Sequence, residues 1–212
     1  MARIALVHAG AVSIPPIELA FQQLWPEAQI MNLLDDSLFL DRGVGALPPA
    51  MAERFITLGR YAAASGADGI LFTCSAFGPC IEACAADLAP IPVLKPNEAM
   101  IAEAYSTGGR IGLMATFAGT LTTMPAEFPT GSDLKPVLIK GAFEALQRGD
   151  MKTHDDLVLT AAESLVDCDV FALAQFSLSR VAALLFERFG KPVYSTPTSA
   201  VRSLRRATLG PG

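Results

Sequence analysis

Histidine is scarce in this chain, which has only His8 and His154. There are four cysteines, and no two of them form a CxxC pair. An ordinary structural zinc site needs several such ligands at short spacing, so none is expected. Charged residues make up only 17% of the chain, and the net charge is −5 with acids and bases scattered. Without a basic stripe, nucleic acid is not an expected partner. Asp, Gly, Gln or Arg interrupts every apolar stretch well before the ~18 residues of a membrane helix, so no membrane partner is expected either. The opening MARIALVHAG has no long apolar core and no cleavage-type end, and it reads as a first strand rather than a signal peptide. Cysteines without secretory context point to a reducing, cytoplasmic setting.

What the chain does have is hydrophobicity and an internal echo. Of 212 residues, 51% are hydrophobic. A chain of this length buries roughly 70% of its unfolded surface. Residues 67–75 read ADGILFTCS and residues 168–176 read CDVFALAQF. At one constant offset, Asp68 matches Asp169 and Cys74 matches Gln175. The echo continues in RIAL at 3–6 and RIGL at 110–113, PVLKP at 92–96 and PVYSTP at 192–197, and NEAM at 97–100 and TSAV at 198–201. A period of about 100 residues fits two whole sub-domains rather than a solenoid. The expected division is 1–96, with a returning C-terminal helix in 198–212, and 97–197.

The pattern of short apolar runs and amphipathic stretches predicts alternating strands and helices. In the first copy, strands are expected at Ile4–His8, Gln29–Leu34, Ile70–Thr73 and Pro92–Leu94. Helices are expected from Pro15 to Leu24, at Ala50–Ser65, Pro79–Leu88 and Glu98–Tyr105, with a Gly- and Pro-containing loop at 39–49. The second copy repeats the order, with strands at Ile111–Ala115, Val137–Ile139, Val170–Ala174 and Val193–Tyr194. Its helices are expected near Gly119–Phe128, at Asp155–Val166 and Ser179–Phe189, with a final helix at Ser199–Ala207. Such alternation implies an α/β fold of two pseudo-symmetric, Rossmann- or flavodoxin-like parallel sheets covered on both faces. Ligands of open α/β sheets bind beyond the strand C-termini, which places the expected site in a cleft between the halves.

Cys74 follows its strand directly and precedes a helix, where amide N–H groups favour a thiolate or an anionic ligand. Ser75 adds a hydroxyl at the same turn. Cys80 and Cys84 lie one turn apart on the helix and read as core, and Cys168 reads as inert. His8 ends the first strand and is placed to act as a second proton donor. His154 in GDMKTHDD reads as part of a helix start, and Asp35 and Asp36 close the second strand.

The strand DGILFT followed by Cys74-Ser75-Ala76 in a duplicated α/β chain resembles the aspartate/glutamate racemase superfamily. That superfamily also holds hydantoin racemases, maleate isomerases and arylmalonate decarboxylases. TCSAFG at 73–78, VLKPNEAM at 93–100, RIGLMATFAGT at 110–120 and LAQFS at 173–177 carry the likeness across nearly the whole chain. The resemblance implies cofactor-independent proton transfer at a carbon next to a carboxylate or carbonyl of a small acid. It also implies two cysteines flanking that carbon, and a homodimer. The first family cysteine falls on Cys74 and the second on Gln175. An amide has no usable pKa near neutrality, so Gln175 can hydrogen-bond a ligand but cannot exchange its proton. The carboxylate-binding positions fall on Ser75, Ala76 and Thr116, with Ser177 as a further candidate. Phe117 and Phe176, with Phe77, point to a substrate less polar than Asp or Glu. Three classes stay open: an isomerase or racemase, a single-cysteine decarboxylase, and a small-acid binding protein.

Overall fold

A computed structural model describes residues 1–42 and 47–210. The chain divides into two compact units, Met1–Glu98 with Ala200–Gly212, and Ala99–Ser199. Pro211 and Gly212, and Gly43 and Gly45 of the expected loop, lie outside the described residues.

In unit 1 the elements run β1 (Arg3–His8), α1 (Ile14–Leu24), β2 (Gln29–Leu34), α2 (Ser37–Asp41), α3 (Pro49–Ala64), β3 (Gly69–Phe72), α4 (Gly78–Leu88) and β4 (Val93–Leu94). Unit 2 runs α5 (Glu98–Thr107), β5 (Ile111–Ala115), α6 (Ala118–Thr123), β6 (Leu134–Leu138), α7 (Ala142–Gln147), α8 (Met151–Ala162), β7 (Val170–Leu173), α9 (Ala182–Phe189) and β8 (Val193–Ser195). The last helix, α10 (Thr196–Leu209), begins in unit 2 and ends in unit 1. Each unit holds a four-stranded, wholly parallel sheet, ordered β2-β1-β3-β4 in unit 1 and β6-β5-β7-β8 in unit 2. The fold class is therefore the α/β arrangement expected from the alternation.

The central strands explain the continuous apolar runs. All of β3, β5 and β7 is buried, and so is β1 after Arg3, because helices cover both faces of a parallel sheet. In unit 1 the aromatic centre is Phe55, which lies 5.0 Å ring to ring from both Phe72 and Phe77. In unit 2 Phe171, Leu173, Leu178 and Leu185 pack on one sheet face, and Leu113, Val170 and Ala172 on the other.

The repeated Asp has a structural task. Asp68 Oδ2 accepts the Arg3 amide at 2.8 Å, and Asp169 Oδ2 accepts the Arg110 amide at 2.7 Å. Each Asp amide donates back to the carbonyl of the same arginine at 2.8 Å. Asp68 and Asp169 thus fix where β1 and β5 start beside their third strands, which is why an Asp-led apolar run and RIxL recur together.

Three expectations are corrected. The stretch 39–49 is not all loop, because α2 forms at its start. Asp35 accepts from the Ser37 amide at 3.2 Å and from the Ser37 hydroxyl, and Arg54 Nη2 holds Asp35 at 2.7 Å. The helix expected from Asp155 begins four residues earlier, because Asp150 caps it by accepting the Thr153 amide at 3.0 Å. The short helix α7 had no counterpart in the sequence reading; Gly141, at φ +80, turns the chain into it.

Gly59 sits where α3 meets α4. A methyl group there would overlap the Cys84 sulfur and come within 2.8 Å of Leu88. Gly59→Ala is expected to destabilise the protein by about 1–3 kcal/mol despite the better helix propensity of Ala, read as a lower midpoint in urea unfolding.

Candidate active site

Cys74 and Gln175 occupy the same place in their own units. Cys74, at φ −125 and ψ 120, ends β3 and leads into a 3-10 turn, Ser75–Phe77, that runs into α4. Gln175, at φ −141 and ψ 146, ends β7 and leads into a 3-10 turn, Phe176–Val181, that runs into α9. Both sit at the carboxyl ends of parallel sheets, where such folds present their chemistry.

In unit 1, Cys74 is half-buried and Ser75 is exposed. Behind the thiol, Val7, Ala9, Leu38, Phe55 and Phe72 line an apolar hollow with no room for water. Burial pushes the Cys74 thiol up. The Ala76 amide, which hydrogen-bonds the sulfur, and the charge of Arg42 pull it down, and burial wins. The thiolate expected from the helix N-terminus is therefore corrected to a protonated thiol near neutral pH, and the Ala76 N–H already serves the sulfur. Alkylation of Cys74 by iodoacetamide, followed by peptide mass spectrometry, is expected to rise with pH through a midpoint above that of a free cysteine. A midpoint below it would contradict this account.

Arg42 is a contributor the sequence reading missed. Its Nε lies 3.4 Å from the Ala76 carbonyl, which places a cation beside Cys74. The only signal for it was an arginine directly after the apolar segment SLFLD. Around the same strand end, Val12 and Leu40 are over 80% exposed, and Phe39 packs edge-on against the buried Phe77 at 5.8 Å.

His8 is wholly buried at the end of β1. Its Nδ1 lies 3.0 Å from Ser13 Oγ and 2.8 Å from Thr73 Oγ1, and its Nε2 lies 3.0 Å from Asn32 Oδ1. Burial lowers its pKa, with the Asn32 hydrogen bond and the Glu18 charge acting weakly the other way.

In unit 2, Gln175 Oε1 accepts from the Thr116 amide at 2.5 Å and lies 2.9 Å from the Thr116 hydroxyl. Thr116 and Phe176 are buried, Ser177 is half-buried, and Phe117 is 60% exposed just before α6. Thus Thr116, Gln175 and their neighbours gather at one sheet end, as do Cys74, Ser75, Ala76 and His8 at the other unit's.

The remaining candidates have structural positions. Cys80 and Cys84 are in the unit 1 core, where burial drives Cys84 up to about 11, and Cys168 is in the unit 2 core. Phe77 is core rather than rim. His154 lies inside α8 with Nδ1 2.8 Å from Asp155, so the capping role belongs to Asp150. Asp35 serves Ser37 and Arg54, as above, and Asp36 is exposed.

The duplicated parallel-sheet fold that here carries Cys74 and Gln175 at matching strand ends is shared by racemases and a decarboxylase. The family model for Asp/Glu/Hydantoin racemase matches residues 49–204, and the chain belongs to that family. Among solved structures it is similar to allantoin racemase from Klebsiella pneumoniae, with a TM-score of 0.76 and 19% identity over 99% of this chain and 89% of that one. It is also similar to an aspartate racemase homologue from Pyrococcus horikoshii OT3, with a TM-score of 0.74 and 14% identity over 99% of this chain and 100% of that one. Unliganded arylmalonate decarboxylase matches with a TM-score of 0.67 and 18% identity over 100% of this chain and 94% of that one. At these identities the likeness is one of fold. No curated protein sequence matches. Among the described residues no helix is long and apolar enough to cross a membrane.

Proposed function

We propose that this chain moves a proton, without a cofactor, at the carbon next to a carboxylate or carbonyl of a small acid, with Cys74 as its one thiol acid/base. The observation that carries this reading is the contrast between the two strand ends. Cys74 bears a titratable side chain beside an exposed hydroxyl and the Arg42 cation. Gln175 bears an amide whose oxygen is held by Thr116.

Ser75 and the charge of Arg42 are the donors for the substrate carboxylate at the Cys74 strand end, and the hydroxyls of Thr116 and Ser177 stand at the matching Gln175 strand end of unit 2. Such donors stabilise the enediolate that forms when the α-carbon bond breaks, and each is worth roughly 3 kcal/mol of barrier. The exposed apolar side chains Val12, Phe39, Leu40 and Phe117 favour a substrate less polar than Asp or Glu. His8, with both ring nitrogens engaged, acts through its neighbours rather than on the substrate. The setting is the reducing cytoplasm, where Cys74 stays a thiol, and the protein works as a homodimer on small molecules.

A second reading is favoured by the protonated thiol. A group that rests as an acid suits a reaction that first loses carbon dioxide and then protonates the resulting carbanion. That makes a decarboxylase the alternative to a racemase. A panel of hydantoins, allantoin, aspartate, glutamate and aryl-malonates separates them. Exchange of the α-carbon proton with solvent, without loss of carbon dioxide, supports the first reading and release of carbon dioxide the second. Silence across the panel, with ligand affinity unchanged in Cys74→Ser, would mean a binding protein instead.

A further inference from the structure

We infer that His8 is a positioning residue for Cys74, part of a hydrogen-bonded chain of Glu18, Asn32, His8 and Thr73 that fixes the strand end carrying the thiol. The inference rests on the reading of Cys74 as the acid/base. The Glu18 carboxylate can only accept, so the Asn32 amide nitrogen donates to it, at 2.7 Å. Asn32 Oδ1 then faces His8 Nε2 at 3.0 Å, which requires the ring proton on Nε2. The neutral ring leaves Nδ1 as an acceptor for the Thr73 hydroxyl at 2.8 Å. Ser13 closes the cluster, with its hydroxyl 2.8 Å from Thr73 Oγ1 and 2.9 Å from the Gly10 carbonyl. The Thr73 amide donates to the Val7 carbonyl at 3.0 Å. Thr73 is thus held by main chain and side chain, and the next residue is Cys74. The polar groups facing His8 are the hydroxyls of Ser13 and Thr73, the Asn32 amide from β2 and, through it, the Glu18 carboxylate from α1.

Unit 2 shows that the fold does not need this chain. The Ala174 amide donates to the Met114 carbonyl at 3.0 Å, as the Thr73 amide does to Val7. By that equivalence Ala174 stands where Thr73 does and Ala115 where His8 does. Leu6 pairs with Asn32 in unit 1, and Leu113 with Pro136 in unit 2. The same sheet is therefore built with two alanines and a proline. Burying an imidazole and two hydroxyls carries a desolvation cost that alanine avoids. At these matching positions only the strand end that carries Cys74 bears that cost.

The test uses the full chain labelled with 15N. Ring correlations of its two histidines are recorded near pH 6.5, where a free imidazole is about half protonated. The signal lost in His8→Gln identifies His8, which is expected to be neutral with its proton on Nε2. A proton on Nδ1, or an imidazolium, would overturn the inference. Asn32→Leu removes the acceptor and is expected to change the Cys74 alkylation rate about threefold or more. It should also lower kcat about tenfold or more while KM stays within about twofold, as misplacement of a reacting group does. Asn32→Asp made together with Glu18→Gln, so that the new carboxylate accepts both from Nε2 and from the side-chain amide at position 18, is expected to restore both. Wild-type alkylation and kcat in Asn32→Leu would refute the positioning role. Turnover retained in Cys74→Ser would instead refute the assignment of Cys74, and would leave the His8 tautomer and the alkylation result as they are.

Discussion

Cys74→Ser is expected to lower kcat by about three orders of magnitude while KM changes little. General acid–base catalysis by a positioned group is worth roughly 10²–10⁴-fold. A serine hydroxyl fits the same space but is a far weaker acid than the thiol, so it cannot complete the proton transfer. Binding should survive, because the proposed carboxylate donors beside Cys74 are Ser75 and Arg42 rather than the sulfur. The fold should survive as well. Cys74 is half-buried at a strand end, and a serine oxygen in the same place can accept from the Ala76 amide that hydrogen-bonds the sulfur. Steady-state kinetics beside a urea unfolding curve separates the two effects. A kcat loss accompanied by a collapsed unfolding midpoint would not support the assignment.

Gln175→Cys is the second substitution with a large expected effect, and it acts on product rather than rate. A thiol at the end of β7 would put a proton donor at the place in unit 2 that matches Cys74 in unit 1. The product is then expected to pass from one enantiomer toward a racemic mixture, as chiral chromatography would show. The substitution also has a structural cost. Gln175 Oε1 is the acceptor for the Thr116 amide and lies beside its hydroxyl, and Thr116 is buried. Leaving that amide without a strong acceptor costs about 1–3 kcal/mol, so a lower unfolding midpoint should accompany the change in stereochemistry. An unchanged enantiomeric purity in a folded variant would argue against Gln175 standing at the second proton-transfer position.

The parts of the protein legible in its sequence are those fixed by local pattern. The strand starts within RIAL at 3–6 and RIGL at 110–113, the matching Asp68 and Asp169, and the placement of Cys74 and Gln175 at strand ends all follow from apolar runs and one constant offset. The helices α2 and α7 were not legible, because each is too short to establish a hydrophobic period. The protonation of Cys74 was not legible either. The helix start is local and visible, but the apolar wall of Val7, Ala9, Leu38, Phe55 and Phe72, built largely from β1, α2 and α3, outweighs it. The surroundings of His8 have the same origin. Its partners Asn32 and Thr73 lie 24 and 65 residues away in sequence, so only the register of β1 with β2 and β3 brings them together. Arg42 was missed because nothing local relates it to Ala76, 34 residues further on.

The central claim is that Cys74 alone moves the proton. The most direct measurement is turnover in deuterium oxide of whichever panel member reacts, with the product's α-carbon read by NMR and mass spectrometry. The account predicts one solvent deuteron per turnover, delivered to one face in the wild-type protein, and none above background in Cys74→Ser. Deuterium delivered to both faces by the wild-type protein, or incorporation that persists in Cys74→Ser, would contradict it.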